Sequence, residues 1–372
     1  MESLVKDFSS VYREKRILLT GNTGFKGTWM TSWLRHLGAK VYGFSNEVPT
    51  DPSMYKLLKM EEGITQYWGD ISDHDSLNNV ISSVRPDFIF HFAAQALVGT
   101  SYEEPLQTIS TNVMGGVNLL DLIKDYDENI TVIFITSDKA YENVEQIWGY
   151  RECDRMGGKD IYSSSKGAID ILAKSFFTSF IKDNPNVKFG LARAGNVIGG
   201  GDWARDRIVV DAINAWSEGL NVKIRCPKAT RPWQHVLEPL SGYLRLGQVL
   251  HEEKINIDDF CDFNFGPSVA VNQSVLELIT DLSSVVLDSK INPFEITDDI
   301  PFNESQLLKL NCEKALLELC WESTLNYNET VEFTGLWYRT FLSGDLEKLV
   351  ELTERQLVTY TEIAKKKGAS WI

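Results

Sequence analysis

Apolar and polar positions follow two alternating periods through the first half of the chain. Short apolar runs stand at 17–20, 40–44, 66–71, 87–92, 130–136 and 187–192. Between them lie stretches whose apolar positions fall three and four residues apart. These are Trp29, Met30, Trp33, Leu34 and Leu37; the segment 72–84; Ile109, Val113, Val117 and Leu120; and Ile169, Leu172, Phe176 and Phe180. The short runs predict buried strands and the longer spacing predicts helices with one apolar face. Strand and helix repeat without long breaks, so the expected fold is α/β, a doubly wound parallel sheet covered on both faces. The second half predicts helices at 239–251 and 272–287 with a strand and turn at 262–267 between them. From Asn311 the chain reads as helical to its end, with 3.6-residue spacing at 330–342 and 346–366. We expect a sheet domain over 1–192 and a smaller, mostly helical domain over 193–372, with segments of the two interleaved.

The first strand-to-helix junction carries glycines at three-residue intervals, Gly21-Asn22-Thr23-Gly24-Phe25-Lys26-Gly27. Strand, glycine turn and helix place a pyrophosphate against free N–H groups at a helix N-terminus. In that reading Gly21 makes the turn, Gly24 and Phe25 border the phosphates, and Gly27 lets helix and strand pack closely. The spacing meets the usual dinucleotide fingerprint only loosely. A plain glycine turn is the other reading. The second strand ends at Ser45, with Glu47 close by and no arginine to hold a 2′-phosphate, which favours NAD over NADP. Asp70 and Ile71 border an adenine, or Asp70 caps the helix 72–84, or both. Small residues at Ala93-Ala94-Gln95 leave room for a ligand at a strand's carboxyl end. His91, inside an apolar strand, reads as a core histidine.

Composition narrows the class. The chain has 372 residues, 43% of them apolar, and a formal net charge of −15. The acidic balance disfavours nucleic acid as a partner, since such binding rests on basic patches. No apolar run is long enough to span a membrane, and the first fifteen residues lack the order of a secretion signal. The five cysteines and five histidines are scattered. They give neither a disulfide frame nor metal-ligand spacing, so free thiols in a cytoplasmic protein and no metal are expected.

Two polar clusters carry candidate chemistry. Thr136-Ser137-Asp138-Lys139 directly follows a buried strand, where parallel sheets place ligands; a plain polar loop is the alternative. Tyr162 and Lys166 stand four apart at the start of a helix, hence on one face. A lysine beside a phenol is expected to lower its pKa toward neutrality, which would let Tyr162 take a proton from a sugar hydroxyl. Further on, Asn196, Trp203, Arg207, Arg231, Trp233, Gln234 and His235 combine guanidinium groups, which suit a diphosphate, with aromatic faces, which suit a base or sugar. They predict a nucleotide-sugar site, against the alternative of surface arginines and core tryptophans.

Taken together, the glycine turn, Ser137-Asp138-Lys139 with Tyr141-Glu142-Asn143, Tyr162-Ser163-Ser164-Ser165-Lys166, the run 194–203 and the run 229–236 resemble the extended short-chain dehydrogenase/reductase family over nearly the whole chain. Within it, the likeness is to the nucleotide-sugar 4,6-dehydratases. The resemblance implies a Rossmann fold, bound NAD, and Ser137, Tyr162 and Lys166 as a catalytic trio with Asn112 in support. It implies transient oxidation at C4 of the sugar, with Asp138 as the acid at C6. Lys139 stands either as the base at C5 or as a charge partner for Asp138 or substrate phosphate. A 4-epimerase, a dehydratase for another nucleotide sugar and a silent nucleotide-sugar sensor are the competing readings. Related enzymes pair through the helices at 108–126 and 163–181, implying a homodimer; the alternative is that both stripes face their own sheet. The chain departs from the family pattern at Ala140, around Asp160, and at Phe302-Asn303-Glu304.

Overall fold

The computed structural model describes residues 7–257, 259–268, 271–287, 293–297 and 307–372; Phe302-Asn303-Glu304 lies outside them. Seven strands form one parallel sheet: β1 (Arg16–Thr20), β2 (Lys40–Ser45), β3 (Thr65–Trp68), β4 (Phe88–His91), β5 (Ile130–Ile135), β6 (Val187–Ala194) and β7 (Cys261–Phe265). Their spatial order is β7-β6-β5-β4-β1-β2-β3. The order reverses between β1 and β4, so the crevice for a ligand opens at the carboxyl ends of those two strands. The main helices are α1 (Phe25–His36), α2 (His74–Val84), α3 (Gly115–Lys124), α4 (Ile161–Ser179), α5 (Leu237–His251), α6 (Val275–Val286), α7 (Tyr327–Leu342) and α8 (Leu346–Lys366).

The pleat divides the apolar runs between two cores. Ile17 and Leu19 of β1, Phe88 and Phe90 of β4, and Ile133 and Ile135 of β5 face one cluster. Leu18, Ile89, Val132 and Phe134 face the other. Successive strand residues point to opposite faces, so a sheet covered on both sides needs unbroken apolar runs. Helix α5 is buried along nearly its whole length. It lies in the first cluster with α1, α7 and α8, so the helical second half closes over that face of the sheet.

Several boundaries differ from the sequence reading. Helix α2 begins at His74 and is capped by Asp73, whose side chain accepts from Ser76 N. Asp70 instead accepts from the N–H and hydroxyl of Ser72, at 2.8 and 2.7 Å, in a local turn before the helix. The stripe at 108–126 belongs to helical turns Pro105–Ile109 and α3, joined by a widened turn over Ser110–Met114. The tail from Asn311 is broken: Glu313–Leu319, α7 and α8 are separate helices. Strand β7 lies in the second half of the chain yet pairs with β6 in the main sheet.

Candidate active site

The glycine turn adopts the expected geometry. Gly21 has φ +71°, and a Cβ there would fall 2.7 Å from Ala93 N. A Cβ on Gly27 would sit 2.2 Å from Gly21 O, so only glycine allows α1 to pack on β1. Gly24 precedes α1 in extended conformation with no side chain capping it. The first N–H groups of that helix therefore form a bare cradle for an anionic group. Ser45, buried at the end of β2, donates to Asn22 Oδ1 at 2.9 Å, and Asn22 donates to Gln66 Oε1 at 2.7 Å. Ser45, Asn22 and Gln66 thus form a neutral polar network beside the glycine turn.

Across the switch point, Ala93, Ala94 and Gln95 are half-buried at the end of β4. Gln95 N donates to Asn112 Oδ1 at 2.8 Å. Asn112 Nδ2 donates to Gln95 O at 3.0 Å and to Ser165 Oγ at 2.9 Å. Asn112 sits in the widened turn over Ser110–Met114, and such π-type turns redirect a side chain out of the helical repeat. That turn ties the end of β4 to helix α4. Ile71 is buried against Gly115 at the start of α3, beside the half-buried Asp70.

Ser137, Asp138, Tyr162 and Lys166 are all buried, and Lys139 is half-buried. Ser137 begins a short turn at the end of β5; its Oγ accepts from Lys139 N at 3.2 Å and donates to Asp138 Oδ1 at 3.0 Å. Asp160 caps α4 by accepting from Ser163 N at 2.8 Å, which sets Tyr162 and Lys166 in the first turns. Burial raises the Asp138 carboxyl; Lys139, the bond from Ser137 and Lys26 oppose the rise. A buried carboxyl with a raised pKa is suited to donate a proton.

Tyr162 corrects the sequence expectation. Burial pushes its phenol up to about 12; a hydrogen bond with Ser137 and the charge of Arg207 pull it down, and Asp138 and Asp160 push it up. The Lys166 Nζ lies 5.8 Å from the Tyr162 ring centroid. Lys166 is itself drawn down to about 8, by burial and by Lys26. In this buried setting desolvation outweighs the lowering influences of Ser137 and Arg207.

Lys26 is the residue the sequence reading passed over. It occupies the first turn of α1, and burial with the charge of Arg207 lowers it to about 8 while Asp138 and Asp202 oppose. A cation at a helix N-terminus works against the helix dipole, and that mismatch was its legible signal.

The second-half residues divide into two groups. Arg207 donates to Asp202 Oδ2 at 2.7 Å and is close enough to act on Lys26 and Tyr162. Asn196 is exposed just past β6, and Arg231 is half-buried on the pairing of Thr230–Arg231 with Gln273–Ser274. Trp203 packs on Phe341 and Tyr338 at 4.6 and 5.4 Å. Trp233 donates through Nε1 to Gln273 O at 3.0 Å, and Gln234 is buried against Phe265. His235 is walled in by Trp29 and Phe333, and burial lowers it to about 3. Trp233, Gln234 and His235 are thus buried, His235 beside Trp29 of α1 and Gln234 beside Phe265 at the end of β7. His91 is a satisfied core histidine, its Nδ1 2.8 Å from Thr20 Oγ1. Among the described residues no cluster of His, Cys, Asp and Glu could hold a metal ion.

A family model described as GDP-mannose 4,6 dehydratase matches residues 18–334. A CDP-glucose 4,6-dehydratase of Salmonella typhimurium is 39% identical over 360 residues, covering 94% of this chain and 97% of that relative. Among solved structures, a UDP-glucose 4-epimerase of Thermotoga maritima with UDP-glucose aligns with a TM-score of 0.75 at 23% identity, over 88% of this chain and 99% of that one. A dTDP-glucose 4,6-dehydratase of Bacillus anthracis in complex with NAD aligns with a TM-score of 0.72 at 21% identity, over 90% and 99%. The two structural likenesses speak to the fold alone.

Proposed function

We infer that this chain, which belongs to the GDP-mannose 4,6 dehydratase family of extended short-chain dehydrogenases/reductases, is an NAD-dependent nucleotide-sugar 4,6-dehydratase acting on CDP-glucose. The product is CDP-4-dehydro-6-deoxyglucose. The observation that carries the reading is the full-length likeness to a CDP-glucose 4,6-dehydratase. Asp138 supports it independently. A 4-epimerase moves only a hydride and the C4 hydroxyl proton, whereas a dehydratase needs a protonated acid for the C6 oxygen. Asp138, a buried carboxyl raised above its usual value and bonded to Ser137, is placed to serve as that acid.

NAD supplies hydride acceptance from C4 and hydride return to C6, so it ends each cycle as it began. Gly21, Gly24, Phe25 and Gly27 would hold its phosphates, Ser45, Asp70, Ile71 and Ala93–Gln95 would line its adenosine and sheet-crossing parts, and Lys166 would hold the ribose. Tyr162 is assigned to take the C4 hydroxyl proton while Ser137 hydrogen-bonds the same oxygen; the positive charge that NAD would bring beside Lys166 would lower the phenol from about 12 to allow this. The 4-ketone then acidifies C5. Lys139 is assigned to take the C5 proton, and Asp138 to protonate the departing C6 oxygen. Arg207, Arg231 and Asn196 are assigned to the nucleotide diphosphate and sugar, with Trp203, Trp233, Gln234 and His235 shaping the wall behind them.

We assign the cytoplasm, since all five cysteines are free and no described helix is long and apolar enough to cross a membrane. We assign a homodimer through the faces carrying Tyr102, Leu106, Ile109, Met114 and Ile171, large apolar side chains left exposed on the helices before α3 and on α4.

The test uses purified protein, NAD and CDP-glucose labelled with deuterium at C4. Release of a 4-keto-6-deoxy sugar with the label at C6 is expected. A 4-epimer retaining the C6 oxygen would move the protein to the epimerases, and loss of the label to solvent would remove the internal hydride return. Preference for UDP-, dTDP- or GDP-glucose in the same assay would overturn the choice of base.

A further inference from the structure

The dehydration assigned above leaves a proton displaced after each cycle. The hydride starts on C4 and finishes on C6. The C5 proton goes to its base and returns to C5 as the hydride arrives, so it cancels. The C4 hydroxyl proton ends on Tyr162. The proton that converts the C6 hydroxyl into water comes from Asp138. Tyr162 therefore gains a proton in each cycle, and Asp138 loses one.

Ser137 lies between these two groups. Its hydroxyl donates to Asp138 Oδ1 at 3.0 Å, its oxygen accepts from Lys139 N at 3.2 Å, and it stands near enough to the Tyr162 phenol to lower its pKa. All three side chains are buried, which restricts exchange with bulk water. The charged groups facing the pair are Lys139 and Lys26 on the Asp138 side, and Arg207, Asp160 and Lys166 on the Tyr162 side. Serine can accept one proton while releasing another, so a hydroxyl bonded to donor and acceptor together forms a relay.

We propose that Ser137 carries the sugar's C4 proton from Tyr162 to Asp138, so that the proton removed in the oxidation is the one delivered to the leaving C6 oxygen. The Tyr162 O–H bond breaks as a bond forms to Ser137 Oγ. The original Ser137 O–H bond breaks as one forms to Asp138 Oδ1. The phenolate is restored, the carboxylic acid is formed, and no solvent proton is consumed. Transfer from a phenol to a carboxylate runs uphill by itself. Loss of water at C6 consumes the proton on Asp138 and draws the transfer forward.

The proposal rests on the dehydratase reading and extends it. The experiment compares the holoenzyme with Ser137→Ala and Ser137→Thr, measuring kcat for CDP-glucose at fixed pH and rising formate or azide. Removing a positioned proton carrier is expected to lower kcat about 100-fold in Ser137→Ala. These small acids, entering the space left by the hydroxyl, are expected to restore at least tenfold of that loss. Wild type and Ser137→Thr, which keep the hydroxyl, stay indifferent to them. A Ser137→Ala enzyme equally slow at every concentration would confine Ser137 to bonding the C4 oxygen and overturn the relay. So would an Ser137→Ala enzyme as fast as wild type. If wild type itself makes no 4-keto-6-deoxy sugar, the dehydratase reading fails whatever the variants do.

Discussion

Arg193 and Asp170 form a two-point ion pair with both side chains buried, Nε to Oδ2 at 2.8 Å and Nη2 to Oδ1 at 2.5 Å. The pair joins the end of β6 to α4 one turn beyond Lys166. Thr136, immediately before Ser137, donates to the same Asp170 Oδ2 at 3.1 Å. The third guanidinium nitrogen reaches Asp262 at 3.0 Å and Tyr141 at 3.2 Å, at the close of the Ser137 turn. One cation thus fixes the strand end and the helix that together carry the catalytic groups. Leaving a buried charge without its partner costs about 3–5 kcal/mol. Asp170→Asn is expected to lower the unfolding free energy by that order in urea titrations. Replacing both partners, as Arg193→Met with Asp170→Leu, is expected to recover much of it. A loss below about 1 kcal/mol in the single variant would show that the pair does not hold the helix.

Tyr162→Phe removes one oxygen and leaves the ring in place. Loss of a proton acceptor in the transition state is expected to lower kcat by about 100- to 10,000-fold. Binding of CDP-glucose, followed by calorimetry, is expected to change little, because the phenol acts on the reacting oxygen. Turnover at the wild-type rate would remove Tyr162 from the chemistry.

Much of this organisation was legible in the sequence. The unbroken apolar runs of β1, β4 and β5 required a sheet covered on both faces, and Tyr162 and Lys166 had to share a helical face. What stayed hidden depends on contacts between distant positions. Arg193 and Asp170 are both charged and unremarkable until β6 and α4 are packed together. Asn112 acts through a widened helical turn that no apolar spacing reports. Trp203, Trp233 and His235 show the limit most clearly, since an aromatic residue beside arginines suits a base-binding face and a packed core equally in sequence. The structure puts His235 between Trp29 and Phe333.

The proposed dimer rests on Leu106, which is 81% exposed, and on Ile171, 54% exposed. Leu106→Asp adds a charge that must lose its hydration if the face is covered. Light scattering is expected to give a dimer for wild type and a monomer for the variant at the same concentration. A wild-type monomer would overturn the pairing and leave Leu106 and Ile171 in solvent.

Glu238 gives stability a dependence on pH. Its carboxyl is buried under α8, accepting from Thr324 N at 2.7 Å, Leu325 N at 2.6 Å and the Tyr360 hydroxyl at 2.9 Å. Burial pushes it up to about 7, and those donors with Lys367 pull it only part of the way back. A carboxyl whose pKa is higher folded than unfolded favours folding while protonated. That contribution is complete below the unfolded value of 4.5 and is lost as pH rises to about 7. The loss is on the order of 3 kcal/mol. Glu238→Gln stays neutral throughout, so its urea midpoint is expected to fall less than that of wild type between pH 5 and pH 8. Parallel declines would show that Glu238 is ionised across the range.

Lys26 offers a separate test of the active-site charges. Its ammonium helps hold Lys166 near 8 and lowers the Asp138 carboxyl. Lys166 works as a cation, so activity falls as pH rises and it loses its proton. Lys26→Met removes a positive neighbour from it. Lys166 then keeps its proton to higher pH, which moves the alkaline limb of the kcat/KM profile upward. Lys26→Arg keeps the charge and is expected to leave the limb near its wild-type position. The measurement is kcat/KM for CDP-glucose from pH 6 to pH 10 with NAD saturating. A limb that stays in place or moves down in Lys26→Met would mean that Lys26 is not coupled to the groups that carry the reaction.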